Sequence, residues 1–580
     1  MSEFFGLPPV DLAVVLAYFL ATTLVGVWLV RKVRSATDFF MPRRYGKAML
    51  MMASFGAGTS ADQAVAVAAK SFQSGLSGIW YQWLWLLGTP FYWIVGVILR
   101  RSRAVTVADM VESRFDRSFA MLYACIAVVH ITVNMGVMLK GSGAVIAATS
   151  GGLIDPNLAI AAMTAMFLFY GVCGGLAAAI VTDFFQGILT IFFSFLLLPY
   201  ALSAVGGMSG LRAAVHDPSM FSLVADKEIN LFYVLVISVN GLISIIVYPN
   251  MMGVCGPSKN EFDSRFGLVS GNFVKRICTM AWCLTGLAAA GYYARHPGVQ
   301  ADQIYGLMAR DFLPSAMTGL LGLFVSGVLA SVMSACSAKM INCAALFTQN
   351  FYRAIRPARP ERHYVWVGRA VSAASVAGGL LFAYYVESVV KGLEILWCII
   401  PATGMVFWIG LVWRGATVAG AWAGVLAGLV AWWLSVQSFF LTWLRGLPIE
   451  REWSLIVASD RIADGMRQTV YSMSLPWQMV LFLSSAAAAC ILASWFTPKV
   501  AVEKLDRFYA LVRTPVQPGE VLTQSCRLPA GIEPAPRRNL IPCKSIELPV
   551  PTPTTVLGVL AGSAVVAAMI GGFYWFTQAS

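Results

Sequence analysis

The sequence predicts an all-α polytopic membrane protein of about fourteen transmembrane helices, and three observations carry that expectation. Of the 580 residues, 58% are hydrophobic and only 12% charged, about half the charged share of a soluble domain; the mean hydropathy is +0.72. The apolar residues fall into blocks of about 20 or more, the length a helix needs to cross a ~30 Å hydrocarbon layer. These blocks lack period-two alternation. Only helices and closed barrels satisfy their own backbone in lipid, so helices are expected.

The expected spans lie near 9–30, 48–72, 78–99, 118–148, 155–173, 176–204, 231–252, 270–294, 316–350, 363–385, 389–412, 416–439, 475–496 and 554–577. The first lacks a basic segment before it and reads as a retained helix, not a cleaved signal. The net charge of +13 is spread over short segments between alternate spans. Arg31, Lys32, Arg34, Arg43, Arg44 and Lys47 follow the first; Arg100, Arg101, Arg103, Arg114 and Arg117 follow the third. Lys259, Arg265, Lys275 and Arg276 are assigned to the connection after the seventh, and Arg353, Arg356, Arg359 and Arg362 to that after the ninth. Charge of this kind orients helices, so both termini are expected outside the cell membrane. No basic soluble domain with interleaved aromatics points to nucleic acid. Segment 499–553 is Pro-rich and polar, and is expected to be a cytoplasmic tether with one short helix near Val502–Leu511. Most of the eleven cysteines lie within apolar blocks and read as packing residues.

Soluble-enzyme chemistry is missing. There is no GxxxxGK[ST] phosphate loop, no metal-ligand spacing among the four histidines, and no GxSxG elbow. Neither an enzyme nor a resident cofactor is expected.

Charged groups at membrane depth are informative, because each costs about 2.5–3.5 kcal/mol on insertion scales. The candidates are Asp62, Lys70, Lys140, Asp183 and Lys339. Lys70 and Lys140 lie nearer span ends, where a long side chain can reach the interface; Asp62 and Lys339 lie closer to the centres. Around Asp62 runs Phe55-Gly-Ala-Gly-Thr-Ser-Ala-Asp-Gln63. Glycine costs about 1 kcal/mol in a helix interior, and Ser and Thr bond locally to backbone, so this stretch is expected to break the second span. Tyr248-Pro249-Asn250 and Gly253 interrupt the seventh. Two interrupted spans five helices apart point to an inverted repeat with a binding site near the midplane.

These features occur beside motifs that resemble the sodium:solute symporter family. Asp38-Phe-Phe with Arg43-Arg44 resembles its motif after the first helix, and Gly174-Gly to Asp183-Phe-Phe-Gln186 its GG…TD.FQ signature. Leu329-Ala-Ser331-Val-Met-Ser334, with Leu346-Phe-Thr348 and Phe351-Tyr352, resembles its ninth helix. Thr417 to Gly428 resembles its twelfth helix, and Leu505 to Tyr509 with Arg513-Thr-Pro515 its late tail. The resemblance implies the LeuT-type five-plus-five inverted repeat and ion-coupled carriage of a small organic solute across the bilayer. It divides the chain into a first helix and basic loop (1–47), a first repeat (48–204), an outer loop (205–230) and a second repeat (231–414). Peripheral helices (415–498), the tether (499–553) and a last helix (554–580) complete it.

The resemblance also implies sites. Sodium would be held at Gly56, Thr59, Ser331, Ser334 and Ala335, with Asp183 near its inward exit. The solute would lie beside Gln63, Gln82, His130, Asn134, Tyr248 and Asn250. The chain departs from the family where Ala335 replaces a second hydroxyl and where Lys339 follows one turn later, on the same helix face. Gln82 and Leu393 stand where sodium/glucose relatives carry Glu and Gln. Two alternatives follow: a sodium-independent or proton-linked (H+) carrier with Lys339 or Asp62 serving in place of the ion, and a membrane sensor that does not transport.

Overall fold

In this computed structural model the chain folds as a helical bundle. The structure describes residues 6–30, 46–225, 229–294, 298–463, 466–517, 520 and 524–579; side chains at 22–30, 57, 166–183, 449, 451–452, 459–470 and 579 lie outside that description. So do the basic loop at 31–45 and the side chain of Asp183, although Asp183 falls on a helix.

The first span is α1 (Pro9–Val30). The second is split as expected, into α2 (Lys47–Gly58) and α3 (Ala61–Ser74), with Thr59 and Ser60 extended between them. The third is less regular than one helix: short turns at Gly75–Ile79, Trp80–Trp83 and Thr89–Phe91 lead into α4 (Tyr92–Arg101). After α5 (Val107–Arg114) and α6 (Arg117–Thr149), helix α7 runs from Pro156 to Leu196. It merges the expected fifth and sixth spans. At ~1.5 Å per residue its 41 residues reach about 60 Å, roughly twice one crossing.

The seventh span is broken too. Helix α8 (Leu231–Ile245) meets α9 (Pro249–Cys255) at a bend of 62°, where Pro249 supplies no N–H to continue the ladder. Helices α10 (Glu261–Tyr292), α11 (Leu320–Ala345), α12 (Glu361–Tyr385), α13 (Val389–Ile399) and α14 (Pro401–Val412) follow. The peripheral pair is α15 (Val418–Ser435) and α16 (Leu475–Phe496), which pack on each other. The connection between them departs from an all-helical chain. Residues 456–463 and 466–473 pair as an antiparallel hairpin. Among the described residues nine helices are long and apolar enough to cross a membrane, or ten counting the bent pair as one span. That supports a polytopic membrane protein and leaves the count of fourteen unreached.

Helix α11 is the centre of the bundle, with nearly its whole length buried against α1, α2, α6 and α7. Its small residues allow this. A Cβ on Gly322 would meet the Asp11 carbonyl oxygen at 2.3 Å, and the Asp11 carboxylate accepts the Gly322 N–H at 2.6 Å.

The Pro-rich segment is ordered where it is described. Helix α17 (Val502–Arg513) sits where the short helix was expected, and α18 (Pro553–Ala579) is the last span. Between them an extended strap lies along the loops that follow α4 and α14. Glu547 N–H donates to Val412 O at 2.8 Å, Arg414 N–H to Ser545 O at 2.8 Å, and Cys526 N–H to Arg103 O at 3.3 Å. Arg103 (φ 51°) is buried under the strap. Its guanidinium pairs with Glu520 at 2.6 Å, both side chains at 2% exposure or less, and also donates to the Thr514 and Pro515 carbonyls. Desolvation raises the Glu520 carboxyl, but the hydrogen bond and charge of Arg103 outweigh it and hold the group below the usual glutamate value.

Candidate functional site

The two breaks and five neighbouring helices, α4, α6, α10, α11 and α13, line one cavity of about 110 Å³. Helix α2 ends at Gly58 because Gly-Thr-Ser favours extended backbone over another helical turn, and its last carbonyls are left without intrahelical donors. The Gly56 carbonyl accepts the Thr59 N–H at 3.3 Å. The Gly58 carbonyl takes two side-chain donors, Gln63 Nε2 at 3.0 Å and a close contact from Lys275 Nζ. Ser60 Oγ donates to Asp62 Oδ1. Asp62 itself presses on α6, where a Cβ on Gly141 would lie 2.5 Å from the Asp62 Cα.

Helix α10 brings the cations. Asn260 Oδ1 caps its first turn by accepting the Asp263 N–H at 2.8 Å, so Lys275 and Arg276 stand midway along 32 residues, and both are buried. Their assignment to a basic loop is therefore corrected: they lie at membrane depth. Glycines set the helix against the break. A Cβ on Gly271 would stand 2.6 Å from the Met51 carbonyl of α2, and one on Gly286 would stand 2.3 Å from the Ala68 carbonyl of α3. Arg276 donates to the main-chain carbonyl of Gln82, to Gln82 Oε1 at 3.3 Å and to Asn272 Oδ1 at 2.8 Å.

Five of the six expected solute residues line this cavity: Gln63, Gln82, Asn134, Tyr248 and Asn250. His130 does not. It is buried behind Tyr248, the two rings edge-to-face with centroids 4.8 Å apart, so it shapes the wall from the second layer. Asp62, Lys339 and Leu393 also reach the lining, beside Trp85, Met138, Leu396 and Trp397.

The expected ion residues sit on packed helices next to this space. Thr59 is fully buried and its hydroxyl oxygen has no hydrogen-bond partner. Ser331 Oγ donates to Val328 O at 2.7 Å; Ser334 and Ala335 are buried on the same helix, α11, which packs on α2. Among the described residues no cluster of His, Cys, Asp or Glu could hold a metal.

From sequence, Lys275 and Arg276 read as loop charge, and Asn272 is not singled out. The signal was available. Asn260 and Asp263 have N-cap spacing, and starting the helix there carries both basic residues four turns into it.

Comparison with known proteins agrees with this architecture. The chain is 26% identical to the mouse (Mus musculus) sodium/myo-inositol cotransporter 2, over 87% of this chain and 79% of the relative. It is 24% identical to a sodium/glucose cotransporter of Vibrio parahaemolyticus, over 73% and 84%. Its fold is similar to that of a Na+-coupled sialic acid symporter solved in a substrate-bound outward-open state (TM-score 0.67, 16% identity, 85% of this chain and 99% of that one). These relatives are transporters, not enzymes. Residues 39–428 match the sequence profile of the sodium:solute symporter family, and with that match over most of its length this integral membrane protein belongs to the sodium:solute symporter family.

Proposed function

We propose that the chain is a sodium-coupled symporter that carries a small organic solute through the cell membrane by alternating access. One observation carries this reading. Both broken spans open on the same cavity, through Gly58, Asp62 and Gln63 on one side and Tyr248 and Asn250 on the other. Discontinuous helices meeting at mid-membrane present backbone dipoles and unpaired carbonyls where an ion and a solute bind together.

Residues 48–204 and 231–414 form the two repeats in this reading. Sodium lies where α2 ends against α11, served by Gly56, Thr59, Ser331, Ser334 and the main chain near Ala335, with Asp183 along its inward exit. The Thr59 hydroxyl, buried and without a partner, suits an oxygen kept for a hard cation, which takes oxygen ligands. The names of the mouse and Vibrio relatives both give sodium as the transported ion. Ion and solute stabilise the same closed state, and that shared preference couples their fluxes. The basic loops face the cytoplasm and both termini face outward.

Thermal unfolding of the purified protein in sodium, against potassium at equal ionic strength, tests the reading. A ligand at a hundredfold excess over Kd stabilises by about 2.7 kcal/mol, so sodium is expected to raise the midpoint. Identical midpoints in the two ions, together with uptake into liposomes that ignores the sodium gradient, would refute sodium coupling.

A further inference from the structure

The cavity holds a charge imbalance that sodium coupling does not account for. Four acidic or basic side chains line it: Asp62, Lys275, Arg276 and Lys339. Three are basic and one is a carboxyl, which leaves basic groups in excess along the lining. All four are buried, Arg276 to 1% exposure.

The hydrogen bonds do not cancel the excess. Arg276 donates only to neutral acceptors, on Gln82 and Asn272, and its Nε is buried without a partner. Lys275 donates to a main-chain carbonyl, that of Gly58. The Asp62 carboxylate accepts its hydrogen bond from Ser60 Oγ. Among the described residues no carboxylate lies within ion-pair distance of Arg276 or Lys275. A guanidinium cannot shed its proton to escape this environment. Leaving a buried charge uncompensated costs several kcal/mol.

The rest of the lining limits what can supply the missing charge. Trp85, Tyr248 and Trp397 offer aromatic faces, and Leu393, Leu396 and Met138 offer apolar surface. A neutral polyhydroxylated solute would leave the cations unmatched and would meet apolar groups where it needs hydrogen bonds. A small organic acid satisfies both halves of the wall.

Building on the symporter reading above, we propose that the solute is a small organic anion bearing one carboxylate. Its head is held by Arg276 and Lys275, and its body packs on Trp85, Tyr248 and Trp397. A planar guanidinium beside an ammonium is suited to a carboxylate. Lys275 then shares its donors between the solute and the Gly58 carbonyl, so solute occupancy is felt at the helix break, two residues from Gly56. The anion also offsets the charge of the sodium ion that travels with it.

The test compares acids with their amides of equal size: propionate, lactate, benzoate and nicotinate against propionamide, lactamide, benzamide and nicotinamide. The readout is thermal unfolding of the full-length protein at constant sodium and ionic strength, up to tens of millimolar solute. At least one acid is expected to bind about tenfold or more tighter than its amide, a difference of ~1.4 kcal/mol. Arg276→Gln is expected to erase that preference while the response to sodium without solute persists. Should Arg276→Gln fail to fold, Lys275→Gln is expected to weaken the same acid with sodium response intact. Amides that bind as well as acids, or no acid that binds at all, would overturn the proposal. A preference for acids with no response to sodium would leave the proposal standing and overturn the coupling beneath it.

Discussion

Gly271→Ala tests whether close helix approach positions the site. The added methyl would lie 2.6 Å from the Met51 carbonyl oxygen and 2.8 Å from the Ser54 Cβ. Backbone cannot swing aside as a long side chain can, so α2 and α10 must part by roughly 0.8 Å to restore ordinary contact, an overpacking that costs about 1–3 kcal/mol. Lys275 stands one turn beyond Gly271 on the same face of α10, so the displacement also stretches its bond to the Gly58 carbonyl. A hydrogen bond to a charged group contributes about 1.5–3 kcal/mol. The expected phenotype is a lowered unfolding midpoint in detergent together with weakened solute binding. Gly571→Ala is the control, since nothing lies within 4 Å of a Cβ there, and it is expected to leave both quantities unchanged. A Gly271→Ala protein with the parental midpoint and parental affinity would refute the argument.

Three further outcomes are expected. Thr59→Val keeps the shape of a hydroxyl that bonds to nothing in the ion-free protein; it should leave ion-free stability unaltered while raising the sodium concentration for half-maximal stabilisation about tenfold, a loss of ~1.4 kcal/mol. His130→Phe keeps the ring against Tyr248 and should retain solute affinity, whereas His130→Ala should lose it several-fold, as an aromatic contact of about 0.5–1.5 kcal/mol implies; binding titrations of the two variants decide. Because Arg103 holds the Glu520 carboxyl below its ordinary value, the strap is expected to stay docked as pH falls through the usual glutamate range and to loosen only below it. Limited proteolysis against pH reads this, and Glu520→Gln should be cut readily at every pH.

Much of the fold was legible because the bilayer imposes length and polarity on each span. Gly-Ala-Gly-Thr-Ser and Tyr-Pro-Asn announced the two breaks by being poor in helix formers, and both occur where expected. The third span concealed its short turns, because Trp80, Trp83 and Trp85 are as apolar as a continuous helix would require. Positive charge misled at α10. Lys275 and Arg276 have the same composition as an orienting loop, and only the cap at Asn260 separates the two cases. The cavity lining was readable in its polar members, Gln63, Asn134 and Tyr248. The place of His130 was not, since lining a space and supporting the residue that lines it leave the same pattern along a helix.

The excess of positive charge in the cavity has an electrical consequence. A full elementary charge crossing the membrane is worth about 2.3 kcal/mol per 100 mV. Arg276 donates only to neutral acceptors and carries its charge at any ordinary pH, so the empty carrier presents positive charge to whatever fraction of the field falls across the cavity. An inside-negative potential then favours the conformation that brings that charge electrically nearer the cytoplasm, and a bound anion reduces that bias. Voltage would act on the return of the unloaded protein, and the resting potential would set how quickly it is ready for its next cycle.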